Sequence, residues 1–161
     1  MAAYYLAQGY DLPAGDVWAI LTDFASWPEW FPRVTSIVSE PDGPGDVGTA
    51  LVATGERADD WTRWQITEWS APHVLVCEHV RSNSSASPFV EAASLQFELL
   101  DDEEGCTLEV EISADGRGIV GGFFLDMTLG PEVRRLLPDL VDAFSDHVVR
   151  SVRADLDAQD G

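Results

Sequence analysis

The sequence predicts an α+β fold, in which a strongly curved antiparallel sheet of about seven strands grips a long C-terminal helix. Short apolar–polar alternations separated by turn residues indicate the sheet, and residues 89–114 show them most clearly. There, Leu95, Phe97 and Leu99 point to one face and the residues between them are polar, as in a sheet covered on one side. Near residue 131, apolar residues begin to recur at spacings of three and four, which indicates the helix. These residues are Val133, Leu137, Leu140, Phe144 and Val148.

The other elements follow in order along the chain. A first strand over residues 3–10 leads to a helix opened by Pro13, a residue that suits the first helical turn. Six further strands are predicted at residues 34–40, 47–54, 61–69, 74–81, 89–100 and 106–114. The length of 161 residues fits one domain over residues 1–161, whose acidic end, residues 153–161, is expected to be frayed.

An aromatic segment between the first helix and the second strand is the most informative part of the chain. It holds four aromatic residues within eight positions: Phe24, Trp27, Trp30 and Phe31. Ser26 followed by Glu29 matches a capping box, so a short helix is expected to begin there and to end at Pro32. So short a helix cannot bury every one of these rings beneath itself. Some of them are therefore expected to face a cavity.

Residues 12–37, LPAGDVWAILTDFASWPEWFPRVTSI, resemble the opening of the START-like (SRPBCC) superfamily, especially its polyketide cyclase/dehydrase-type branch. In members of this family, a strand is followed by the motif P-A-x-x-V-W-x-x-L-x-D-F-x-x-W-P-x-W. A curled antiparallel sheet closed by a long C-terminal helix comes next. The resemblance implies a helix-grip fold with a largely apolar cavity between sheet and helix. Family members share the cavity rather than one reaction, so the resemblance alone leaves the function open.

Composition excludes several classes of partner. The chain has 29 acidic residues and 9 basic residues, and every basic residue is an arginine. Its formal net charge is -20. Such a surface repels nucleic acid and anionic membranes, so neither is an expected partner. No apolar run reaches membrane-spanning length, and residues 1–8 lack the features of a signal peptide. We therefore expect a cytoplasmic protein, monomeric or homodimeric, in which Cys77 and Cys106 are reduced.

The sequence matches to cofactor and metal motifs lack the structural setting that such sites require. Two stretches, residues 43–48 and 116–121, match G-x-G-x-x-G, but neither joins a strand to a helix as a dinucleotide site requires. His73, Cys77 and His79 do not have the spacing of a zinc site. No cofactor and no metal are therefore expected. The apolar, glycine-rich stretch 115–130 is either a gate at the cavity mouth or an ordinary connector.

Polar residues that point inward are the candidate catalytic groups. Alternation from Leu75 places His79 and Arg81 on the interior side of their strand. Glu91 aligns with the inward residues of the next strand unless a bulge intervenes. Each such residue either finds a partner at the rim or acts as a general acid or base, since polyketide cyclisation and dehydration need proton transfer next to a carbonyl.

The strand over residues 61–69 supplies the third candidate. Its alternation favours Trp64, Ile66 and Glu68 inward, while two further tryptophans leave the opposite phase open. The catalytic set is thus His79, Glu68 and Arg81. The expected ligand-binding residues are the aromatic segment and inward apolar residues elsewhere: Trp27, Trp30, Phe31, Trp64, Ile66, Cys77, Phe97, Val110, Met127, Leu137, Leu140 and Phe144.

Three functions fit these patterns. The first is binding of a hydrophobic small molecule, such as a lipid or a polyketide-like or other aromatic metabolite, for which apolar walls suffice. The second is a polyketide cyclase/aromatase or dehydratase, which needs at least two ionisable groups that converge in the pocket. The third is a protein-interaction domain with a vestigial cavity, which predicts an exposed apolar patch.

Overall fold

The computed structural model describes residues 2–55, 59–83, 90–124 and 130–160. Seven strands and four α-helices are formed there: β1 (Ala2–Tyr10), α1 (Ala14–Leu21), α2 (Trp27–Trp30), β2 (Ser36–Glu40), β3 (Ala50–Thr54), β4 (Trp61–Ser70), β5 (Val74–Ser82), β6 (Val90–Asp101), β7 (Cys106–Gly116), α3 (Gly118–Phe124) and α4 (Gly130–Asp160). A 3-10 turn, Phe24–Ser26, precedes α2. This architecture confirms the predicted α+β helix-grip fold.

The seven strands form one antiparallel sheet in the order β1-β7-β6-β5-β4-β3-β2. The alternation predicted for the last hairpin is confirmed, because Leu95, Phe97 and Leu99 are all buried while the residues between them are more exposed. Register shifts interrupt β4–β5 pairing at two places and β6–β7 pairing at one. Such bulges bend a strand and increase its twist, so they help the sheet to curve around the helix.

Helix α4 has 31 residues and lies across the concave face of the sheet. Its buried side includes Leu137, Leu140, Phe144 and Val148, the stripe predicted from their spacing. The helix continues through Asp160, and the frayed acidic end expected at residues 153–161 stays a prediction. That segment contains arginine, alanine, leucine and glutamine, which favour helix even where they are exposed.

The aromatic segment is fixed to the end of α1. Trp27 Nε1 donates a hydrogen bond of 2.7 Å to the Leu21 carbonyl oxygen. The expected capping box is wrong, because Ser26 Oγ donates to the Asp23 carbonyl and makes no hydrogen bond that caps α2. Pro28 in the first turn favours this four-residue helix instead. After α2 the chain turns at Arg33, which has a φ of 65°.

Candidate functional site

The space between the centre of the sheet and α4 is filled by side chains. Phe144 of α4 is fully buried, and its ring meets Trp30 edge-on with centroids 4.8 Å apart. Trp27 meets Phe97 of β6 in the same way at 5.9 Å. Six residues expected to bind ligand in this region are core residues that do not line the cavity described next: Trp30, Ile66, Phe97, Val110, Leu140 and Phe144. The expected ligand space beneath α4 is therefore occupied by packed rings and aliphatic side chains.

Two open grooves flank α4 where it passes the edge strand β1. One has a volume of about 500 Å³ and runs between the end of β1 and the valines near Val149. The other, about 340 Å³, lies beside Leu137, and there the Arg134 guanidinium sits 5.3 Å from the centre of the Tyr4 ring. Charged residues border both grooves, Asp11 and Arg153 in the first and Arg134 in the second, so neither has the apolar enclosure typical of a small-molecule site.

An enclosed apolar cavity lies instead between the segment after α2 and the strands β2 to β6. Its volume is about 70 Å³. Among the residues that the structure describes, every side chain that lines it is apolar: Trp27, Phe31, Val34, Ile37, Leu51, Ala53, Trp64, Cys77 and Leu95. Of the expected ligand-binding residues, four are in this lining, namely Trp27, Phe31, Trp64 and Cys77.

Strand register explains why the cavity forms at this place. The lining residues sit directly opposite one another on neighbouring strands, in the pairs Ile37–Ala53, Leu51–Trp64 and Cys77–Leu95. Two of these pairs, Ile37–Ala53 and Cys77–Leu95, combine a branched side chain with a small one. Because Ala53 and Cys77 are too short to fill the space above them, a gap remains under the aromatic segment. Three lining residues, Ile37 of β2 and Leu51 and Ala53 of β3, were not among the predicted ligand-binding residues. They follow the same alternation that predicts a half-buried strand.

None of the described lining residues carries a charge at neutral pH. Burial raises the pKa of the Cys77 thiol to about 12, so Cys77 stays protonated there. The indole N–H of Trp27 is already bonded to the Leu21 carbonyl. The walls therefore offer an incoming molecule mainly aromatic faces and aliphatic carbon.

Phe31 forms the outer wall of this cavity. Its ring stacks on Trp27 at a centroid distance of 5.3 Å, with the two ring planes inclined by only 9°. The ring also contacts Trp30 at 5.6 Å. Phe31 is half-buried and follows directly after the last residue of α2. The aromatic segment thus keeps one flat ring stacked over the cavity.

The structure contradicts the expected inward position of Glu68. Alternation holds as far as Ile66, which is fully buried, and Trp64 is half-buried in the cavity wall. A bulge then leaves Thr67 unpaired, so Glu68 turns to solvent. Trp69 takes the inward position and packs against Trp18 with ring centroids 5.1 Å apart.

Arg81 is displaced by a similar irregularity. Val80 is bulged out of the β4–β5 pairing, and Arg81 therefore lies opposite Arg63. Arg63 belongs to the outer face of the sheet, where its guanidinium contacts the Glu40 carboxylate at 2.8 Å. The guanidinium of Arg81, an exposed residue, lies 5.7 Å from the centre of the Trp61 ring. The expected inward position of Arg81 is wrong for this reason.

His79 is the one candidate catalytic residue that keeps its predicted side. It lies opposite Trp64, and the two rings meet edge-on at 5.5 Å. Burial lowers the pKa of the imidazole, so His79 is neutral at neutral pH. His79 lines a second cleft of about 290 Å³, which opens where β5 and β6 separate beyond the Glu78–Ser94 pair.

Acidic residues share this second cleft with His79. They are Glu78, Glu91 and Asp115. A bulge in β6 intervenes at Glu91, which consequently is exposed at the cleft instead of aligning with the core residues of its strand. Across the described ranges, no three histidine, cysteine or acidic residues are grouped closely enough to hold a metal ion.

Close packing explains a glycine in each of the two G-x-G-x-x-G matches. A Cβ atom at Gly45 would lie 2.7 Å from the Phe24 ring and 2.8 Å from the Trp69 ring. A Cβ atom at Gly116 would lie 2.3 Å from the backbone of Gly121 in α3. Both positions let backbone approach another part of the molecule. Met127 and residues 125–129 of the predicted gate lie outside the described residues.

Comparison with known proteins identifies the family. The family model described as "Polyketide cyclase / dehydrase and lipid transport" matches residues 8–152. The chain belongs to this family. No curated protein matches the chain in sequence. Within the described part of the chain, no helix has the length and apolarity needed to cross a bilayer.

Solved structures share the fold of this polyketide cyclase/dehydrase family member at low identity. The ZhuI aromatase/cyclase from Streptomyces sp. R1128 has 16% identity and a TM-score of 0.73, with 96% of this chain and 97% of that chain covered. Ara h 8.0201 has 14% identity and a TM-score of 0.72, with 92% and 98% covered. A point mutant of norcoclaurine synthase from Thalictrum flavum, in complex with a transition state analogue, has 14% identity and a TM-score of 0.68, with 93% and 95% covered.

Cys77 should report how tightly this family member closes its cavity. We expect iodoacetamide to alkylate Cys77 at least about tenfold more slowly in the folded protein than in urea, because the thiolate is the reactive form and burial suppresses it. Cys106→Ser leaves Cys77 as the single thiol, so mass spectrometry can follow its alkylation alone. Equal rates in folded and unfolded protein would contradict the closed cavity.

Proposed function

We propose that this protein binds a flat, hydrophobic small molecule in the cavity beneath Phe31. The observation that carries this proposal is the lining itself, in which nine side chains of the described residues are apolar and none of them is charged at neutral pH. Membership of a family described by cyclisation, dehydration and lipid transport is consistent with a hydrophobic guest. Lipids, polyketide-like molecules and other aromatic metabolites are all hydrophobic, and the flat aromatic ones among them match the proposed guest.

Binding requires the cavity to grow. A dry cavity of about 150 Å³ is known to hold benzene, whereas this cavity has about 70 Å³. Phe31 is the wall best placed to move, because it is half-buried and lies just beyond a four-residue helix. If its ring swings outward, the space of one aromatic ring is added to the cavity directly over Trp27.

Affinity then comes from two sources. Apolar surface leaves water at about 25 cal/mol per Å², and a ring stacked on Trp27 adds about 0.5–1.5 kcal/mol. The stack with Phe31 is lost when the guest enters, so a guest gains most if it covers the same indole face. This exchange favours flat rings over flexible chains.

Filling the cavity should abolish most of the binding. Ala53→Leu adds three carbon atoms to the lining, and we expect the affinity for the flat hydrocarbon indane to fall about tenfold because the guest and the new side chain compete for one space. Ala7→Leu is the matched control, since Ala7 is an exposed residue of edge strand β1. Equilibrium dialysis measures both affinities. Equal affinity of the two variants would contradict the proposed site.

A second candidate function rests on the His79 cleft. A neutral imidazole there can accept a proton from a carbon next to a carbonyl, and the exposed carboxylates of Glu78 and Glu91 border the same cleft. This is the chemistry of a polyketide cyclase or dehydratase. His79→Gln should remove most of any catalysed deuterium exchange at the α-carbon of 1-indanone, measured by NMR. His73→Gln, an exposed histidine paired with Asp101, is the control and should leave the exchange unchanged.

A further inference from the structure

Trp30 contains a buried hydrogen-bond donor that is not used. The residue is only 2% exposed, and its indole Nε1–H has no acceptor within the described part of the chain. Its neighbour Trp27 shows the ordinary arrangement, in which the N–H is bonded to a backbone carbonyl. A buried polar group without a partner is destabilising, because it has lost its hydrogen bonds to water and gained none in return. Phenylalanine at position 30 would avoid this cost, so the N–H calls for a physical explanation.

The Trp30 ring is one ring away from the cavity. It contacts Trp27 at 5.2 Å and Phe31 at 5.6 Å, and both of these residues line the cavity. On its other side it meets Phe144 of α4 at 4.8 Å. A guest that takes the place of Phe31 over Trp27 inherits the contacts of Phe31, and these include Trp30. Displacement of Phe31 therefore brings the edge of the guest to the Trp30 indole.

We propose that Trp30 Nε1 donates a hydrogen bond to an oxygen atom of the bound molecule, and that the protein thereby selects flat aromatic carbonyl compounds over hydrocarbons of the same shape. This inference rests on the proposed function. An indole N–H is a donor only, so its partner must be an acceptor. The acceptor is neutral, because none of the described lining residues is a cation and the formal charge of -20 disfavours an anion.

The preference for a carbonyl group follows from desolvation. A ketone loses its hydrogen bonds to water on entering an apolar cavity, and this loss weakens binding unless a donor replaces them. Trp30 can donate the hydrogen bond that replaces those to water. Its N–H breaks no hydrogen bond within the protein to do so, because it has no acceptor within the described part of the chain. A hydrocarbon of equal size leaves that N–H unpaired as before.

A matched pair of ligands isolates this hydrogen bond. 1-Indanone and indane have nearly the same shape and differ in one carbonyl oxygen. We expect Trp30→Phe to lower the ratio of 1-indanone affinity to indane affinity about tenfold, because the variant keeps an aromatic ring and loses the donor. Trp18→Phe is the matched control, since Trp18 is also buried but packs against Trp69, away from the cavity lining. Its ratio should equal that of the wild-type chain.

Each outcome bears on a different statement. An unchanged ratio in Trp30→Phe, with indane still bound, overturns the role of Trp30 and leaves the proposed function intact. Failure of the wild-type chain to bind either ligand overturns the proposed function, and the inference falls with it. If Trp30→Phe does not fold, the infrared carbonyl stretch of 1-indanone bound to the wild-type chain decides. A shift to lower frequency than in an alkane solvent supports the hydrogen bond, and an unshifted band overturns it.

Discussion

Replacement of Phe144 by alanine is expected to lower the free energy of unfolding by about 3–5 kcal/mol, the usual cost of removing a buried phenylalanine ring. Phe144 is fully buried, and its ring meets Trp30 at 4.8 Å and Tyr10 at 6.1 Å. It therefore joins α4 to the aromatic segment on one side and to the edge strand β1 on the other. Urea denaturation followed by circular dichroism measures the change.

The control for this prediction is on the same helix. Val149 is 50% exposed, and Val149→Ala should change the free energy of unfolding by no more than about 0.5 kcal/mol. A cost for Phe144→Ala as small as that of the control would mean that the ring borders open space. The ligand cavity would then lie beneath α4, where the family resemblance places it, and the packed interior would be contradicted.

Local patterns were sufficient to predict the strands and the long helix, and the family resemblance implied their helix-grip arrangement. The alternation of Leu95, Phe97 and Leu99 and the spacing of apolar residues in α4 each reflect a period that the backbone imposes, so each survives in the structure. Register irregularities do not have such a signature. The bulged residues Thr67 and Val80 look like ordinary strand residues, yet they turn Glu68 and Arg81 away from the interior.

The position of the cavity could not be predicted from the same patterns. An apolar residue that faces inward either fills the core or borders a space, and the difference depends on which partners it meets. Phe144 fills the core because Trp30 interlocks with it, whereas Leu51 borders a space because Ala53 nearby is small. The predicted cavity-facing role of the aromatic segment agrees with the lining positions of Trp27 and Phe31. Only the packing shows which rings of the aromatic segment line the cavity.

Replacement of Phe31 by alanine is expected to raise the affinity for indane about thirtyfold. The wild-type protein must first unstack Phe31 from Trp27 and expose its half-buried ring to water, at a cost of about 2 kcal/mol for the two contributions together. The variant has no ring to displace, so this cost no longer opposes binding. The free energy of unfolding should fall by a similar amount, about 2 kcal/mol, because the same contacts stabilise the unliganded protein.

Phe31→Ala should raise the affinity for indane and lower the free energy of unfolding, and the opposite signs of these two changes make the experiment decisive. Phe24→Ala is the control, because Phe24 also contacts Trp27, at 5.4 Å, but does not line the cavity. It should lower the free energy of unfolding without raising the affinity for indane. If Phe31→Ala behaves in the same way, Phe31 is a packing residue and another wall must open. If Phe31→Ala binds more tightly while it unfolds more readily, its ring occupies the position that the guest takes.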